Sequence, residues 1–178
     1  MISPRNHLDN LAFLLNHHLL TESDKRILSQ LLPWFSEQLI VLYAHLPLTL
    51  NHNDYHTKNL IISGNTIVPV DWSNASISPH LSDLYCLVGE AKNFHIPASA
   101  LIAAFQAETQ LYHENDSTLS QWDIALEWQI APGGICWLLT SLRWVLDEGV
   151  QSVPVSSQWI PDLLQEIAHC IELYENYR

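Results

Sequence analysis

Six polar side chains crowd into one otherwise apolar part of this 178-residue chain: His52, Asp54, His56, Asn59, Asp71 and Asp83, all within TLNHNDYHTKNLIISGNTIVPVDWSNASISPHLSDLY, Thr49–Tyr85. Two chemistries suit residues of these types. Alternating as His52-x-Asp54-x-His56, they could line a strand and hold Zn²⁺ or Mn²⁺, with Asp71 or His80 as a further ligand, as in a metal-dependent hydrolase. The other chemistry is phosphoryl transfer. There Asp54 orients an acceptor hydroxyl, while a neutral oxygen from Asn59 and an anionic one from Asp71 hold Mg²⁺ against nucleotide phosphates. The first scheme leaves Asn59 and the Asp71-Trp72 pair without a task.

Either scheme needs elements that hold these groups in place. Leu8–Leu20 has helical spacing, and a longer helix is expected from Thr21 onward. Thr21 or Ser23 caps it, Glu22 and Asp24 suit its first turn, and Ile27, Leu28, Leu31, Leu32, Phe35, Leu39 and Leu42 form its apolar stripe. Pro33 should kink or split it. NLIIS and TIVPVDW then read as a hairpin around Gly64-Asn65, with Pro69 demanding an edge or a bulge. Ser73–Pro79 reads as a loop. Helices are expected over LSDLYCLVGEAKNF, from Pro97 to His113, over LSQWDIALEWQI up to a break at Pro132-Gly133-Gly134, over ICWLLTSLRWVLDEG to Gly149, and from Ser156 to Tyr177. The fold class is therefore mostly α with a small β-hairpin, an α+β arrangement in one domain, 1–178. Residues 1–48 supply leading helices, 49–85 the chemistry, and 86–178 a helical subdomain.

HNDYHTKN sets His52, Asp54 and Asn59 at the positions of the kinase catalytic-loop template, and VPVDWS places Asp71 at the end of a following hairpin. The stretch resembles the aminoglycoside phosphotransferase and choline kinase family, whose loop reads H-G-D-x-H-x-x-N before an apolar strand, a turn and [IV]-D-W-x-x-A. PHLSDLY resembles the family's later G-x-x-x-x-D-L-A segment. The resemblance implies a protein-kinase-like C-terminal lobe, ATP and Mg²⁺ as cofactors, and a small-molecule acceptor. It implies that Asp54 accepts the acceptor's proton, that Asn59 and Asp71 bind metal, that His52 and Asp83 fix the loop, and that His56 stands near the nucleotide. Asn53 departs from the family glycine, Thr57-Lys58 from Pro-Gly, and Tyr85 from a small residue.

The resemblance also implies an N-terminal β-lobe with a Gly-rich loop and a paired lysine. The residues before the catalytic loop read as helices, and their only lysine is Lys25. The chain is thus expected to be a C-terminal lobe alone, truncated or split, whose transfer is slow by several orders of magnitude without its roof. A non-catalytic binding module is the main alternative. An apolar face left bare by the absent lobe favours a homodimer or a partner that supplies that lobe. Seven Lys and Arg against 19 Asp and Glu, a net −12, leave no basic patch for nucleic acid. No apolar run is long enough to span a membrane. Cys86, Cys136 and Cys170 are widely spaced and suit buried free thiols in a reducing, cytoplasmic setting. Glu90, Glu108, Glu114, Asp116, Asp123, Glu127, Asp147 and Glu148 would suit an amine-bearing acceptor such as an aminoglycoside or an amino alcohol. Trp122, Trp128, Trp137 and Trp144 recur at helical spacing and suit a core or a substrate-side wall.

Overall fold

The structure, a computed structural model, describes residues 2–46, 48–79, 81–113 and 126–177. It is mostly helical with two small antiparallel sheets. Helices α1 (Pro4–Asn16), α2 (Glu22–Ser29) and α3 (Phe35–His45) lead the chain. The first begins earlier than its apolar spacing implied, because Ser3-Pro4 supplies a start, and it stops before His17. Thr21 caps α2: its hydroxyl accepts the Asp24 N–H, and its own N–H donates to the Asp24 carboxylate. The expected long helix is split between Ser29 and Phe35, across Pro33.

Strand β1 (Leu48–Asn51) pairs with β4 (Ser76–Pro79), and β2 (Leu60–Ser63) pairs with β3 (Thr66–Pro69). The second pair is the expected hairpin. Gly64 takes φ 61, the positive angle a two-residue hairpin turn asks of its first position. Val70 donates its N–H to the Asn59 carbonyl at 2.9 Å, which makes Leu60–Pro69 a non-hydrogen-bonded pair. The missing N–H of Pro69 therefore faces the outer edge. The first pair corrects the expectation of a simple loop over Ser73–Pro79. Its partner lies far away in sequence, so local composition carried no sign of it.

Helices α4 (Leu81–Ala91) and α5 (Ala98–His113) follow. Helix α6 (Leu126–Trp144) runs straight through Pro132-Gly133-Gly134, where a break was expected. Tertiary packing overrides the local signal. A methyl on Gly134 would stand 2.5 Å from the Tyr85 ring, so the glycine lets α6 press against α4. The chain goes on through a π-turn (Val145–Gly149), α7 (Val150–Ser152) and a 3₁₀ turn (Pro154–Gln158) into α8 (Trp159–Tyr177). The core lies between α1–α3, α6 and α8, around Leu14, Leu28, Phe35, Leu39, Leu138 and Ile167. A smaller cluster of Leu42, Leu46, Leu84 and Ile102 joins α3, α4 and α5. Among the described residues no helix is long and apolar enough to cross a membrane. None of the three cysteines is in a disulfide, and burial pushes the Cys86 and Cys136 thiols well above their ordinary range.

His7 sits in this interior, its Nε2 bonded to the Tyr43 hydroxyl at 2.9 Å and its Nδ1 without a partner. Burial holds its pKa down at about 4, from 6.5. The unfolded chain therefore binds a proton that the folded chain refuses, and stability is lost as pH falls from about 6.5 towards about 4. We expect roughly 2 kcal/mol less stability at pH 5 than at pH 7 from this one group. Urea melts at the two pH values should show that difference shrink in His7→Gln.

Candidate active site

Asp83, in the first turn of α4, organises the segment between β1 and β2. Its two carboxylate oxygens accept the backbone N–H groups of His52 and Asn53, each at 2.7 Å. Burial raises its pKa, and these two amides oppose the rise by favouring the anion. Asn53 takes φ 60, the left-handed region. That explains why glycine is usual there and why asparagine can replace it: Asn tolerates this conformation better than other side chains. Its amide also donates to the Asn74 carbonyl at 2.9 Å and to Ser76 Oγ at 2.7 Å, which ties the turn to the start of β4.

His52 is buried, with Nε2 2.8 Å from the Val70 carbonyl. A carbonyl only accepts, so Nε2 carries a proton and donates, while Nδ1 has no hydrogen-bond partner. The imidazole packs on the Trp72 ring, 4.8 Å between centroids, and the Trp72 indole N–H donates to the Pro69 carbonyl. His52 thus joins the loop to the end of the hairpin, immediately before Asp71.

Asp54, His56 and Asn59 converge. The Asn59 amide donates to Asp54 Oδ2 at 2.9 Å and to the Asp54 carbonyl at 3.0 Å. His56 Nε2 lies 3.2 Å from Asp54 Oδ1. The carboxylate is held by a side chain on each oxygen while remaining partly open to solvent. Just beyond, the Thr57 N–H donates to Glu90 of α4 at 2.6 Å. The Asn59–Val70 ladder bond brings the backbones of Asn59 and Val70 together at the open end of the hairpin, with Asp71 next in line. Asp71 is exposed, in the left-handed region at φ 61, and its Oδ1 accepts from Ser73 Oγ at 2.7 Å.

The six residues singled out from sequence therefore form two layers. His52 and Asp83 lie beneath the loop. Asp54, His56 and Asn59 stand on it, with Asp71 at the hairpin end. His80, Glu114, Asp116, Trp122 and Asp123 lie outside the described residues, and the wall of tryptophans is represented by half-buried Trp137 and exposed Trp144. Glu90, one of the carboxylates that would suit an amine-bearing acceptor, accepts the loop's Thr57 N–H through one oxygen. Among the described residues no three His, Cys, Asp or Glu side chains are grouped to hold a metal ion. Sequence reasoning missed the contact of Trp137 with the loop, where its indole N–H donates to the Asn53 carbonyl at 2.6 Å. For Asn53 a signal existed, its replacement of a family glycine. For Trp137 none did.

Residues 4–123 match the model of the phosphotransferase enzyme family, and the chain belongs to that family. No curated protein and no solved structure matches it.

The backbone at Asn53 can be tested apart from its side chain. Asn53→Gly and Asn53→Ala both remove the amide, but only alanine must strain to adopt the left-handed conformation. We expect the alanine variant to be less stable than the glycine variant by about 1 kcal/mol in urea unfolding.

Proposed function

We propose that this chain serves phosphoryl transfer from ATP to a hydroxyl of a small molecule, as the catalytic C-terminal lobe of a kinase-like phosphotransferase. The observation that carries the reading is the Asp54 carboxylate, held by Asn59 and His56 on a loop that Asp83 pins from below. Asp54 accepts the proton of the acceptor hydroxyl as its oxygen attacks the γ-phosphorus, and ADP leaves. His52, Asp83 and the Asn59 amide fix the carboxylate's position, which is where most of the rate in such reactions originates.

The donor set at the hairpin end suits Mg²⁺. Asn59 contributes a neutral amide oxygen, since its nitrogen is the end turned to Asp54, and Asp71 contributes a carboxylate. When bound, the ion would neutralise charge on the phosphates. The hydrolase scheme fits less well, because His52 Nε2 is committed to the Val70 carbonyl and only Nδ1 could ligate. The same reading assigns the bare apolar residues of the hairpin, Ile61, Ile62, Ile67 and Val68, to contact with the nucleotide-binding lobe that the resemblance calls for. An amine-bearing acceptor suits the acidic helices beyond Asp83.

Thermal melting with Mg²⁺ and ATP, against Mg²⁺ alone and Zn²⁺ alone, tests this reading. Nucleotide at a hundred times its Kd should stabilise the native chain by about 2.7 kcal/mol, and Asp71→Ala should abolish the shift. Asp54→Asn should keep the shift and lower transfer at least about a hundredfold. A midpoint moved by Zn²⁺ alone would sink the proposal, and so would transfer left unchanged in Asp54→Asn.

A further inference from the structure

We infer that Trp137 is a positioning residue for Asp54, and that α6 presses it into that position through Gly134. The inference rests on Asp54 being the base. Asn53 immediately precedes Asp54, and its left-handed conformation sets the direction in which the chain delivers that carboxylate. Asp83 holds Asn53 by its N–H, and Trp137 holds it by its carbonyl at 2.6 Å. The peptide plane linking Asn53 to Asp54 is therefore held from α6.

Gly134, one helical turn before Trp137, makes this reach available. Its missing side chain lets α6 close on Tyr85, which stands two residues after Asp83 and donates its hydroxyl to Glu166 of α8 at 3.0 Å. The Tyr85 and Trp137 rings then lie 6.2 Å apart. Buried Leu138, Leu139 and Leu142 seat α6 in the core, so the indole projects from a rigid element. Both Gly134 and Trp137 lie beyond the family match at 4–123.

Trp137→Phe keeps an aromatic ring and removes the N–H together with the five-membered ring that carries it. The control is Trp144→Phe, which alters an exposed indole on the same helix. Hydrogen exchange, read by mass spectrometry over residues 52–59, should quicken about tenfold in Trp137→Phe, as expected for one unmade hydrogen bond. Exchange over 60–70 and in the control should stay unchanged. Hydrolysis of Mg²⁺-ATP with water as acceptor should show kcat falling about tenfold while KM stays within about twofold. Unchanged exchange over 52–59 in a folded Trp137→Phe would overturn the inference, as would quickening that extends equally across α4 and α6. Should that variant not fold, the native chain decides by NMR: the Trp137 indole N–H must exchange far more slowly than that of Trp144, and equal rates overturn the inference. In a native chain that hydrolyses no ATP, the exchange result alone decides whether Trp137 braces the loop.

Discussion

Two backbone amides, those of His52 and Asn53, end on one carboxylate, and the candidate site depends on that arrangement. Asp83 is partly withdrawn from water, which costs free energy for a charged group unless its lone pairs are met. The two short N–H bonds meet them. In return, the turn that departs from β1 is fixed relative to α4 before any other contact is counted. Because the partners are backbone groups, this anchorage uses none of the loop's side chains.

The remaining contacts extend this anchorage outward. His52 joins the loop to the hairpin through the Val70 carbonyl, Glu90 receives the Thr57 amide, and the Asn53 side chain reaches the strand that returns beside β1. Few of these are side chain to side chain. The loop is fastened mainly through its own peptide groups, which a β-ladder or helix would otherwise have satisfied. The large core between α1–α3, α6 and α8 is separate in composition and supplies the rigid support from which α4 and α6 project.

What could be read from the sequence follows the range of the interactions involved. The Thr21 cap, the split at Pro33 and the Gly64-Asn65 turn depend on neighbours within a few residues, and they appear as local chemistry predicts. The convergence of Asp54, His56 and Asn59 was legible for a different reason: the loop and hairpin carry their geometry in spacing. What sequence reasoning missed is non-local. Ser76–Pro79 becomes a strand only because Leu48–Asn51 lies beside it. Pro132-Gly133-Gly134 stays helical because Tyr85 rewards the closeness that glycine permits. The indole of Trp137 meets a carbonyl far away in sequence, and its spacing along α6 matches that of an ordinary core residue.

The β2–β3 hairpin has a consequence for the chain as a colloid. Ile61 and Val68 face one way and Ile62 and Ile67 the other, all of them substantially bare, and no charged residue stands between Leu60 and Val70. Pro69 blunts one outer edge, and β2 has no such guard. Copies of this chain thus carry a sticky ribbon on a body whose net charge of −12 drives them apart. Added salt shortens the reach of that repulsion and leaves the apolar attraction intact, so ionic strength governs whether the molecules stay dispersed.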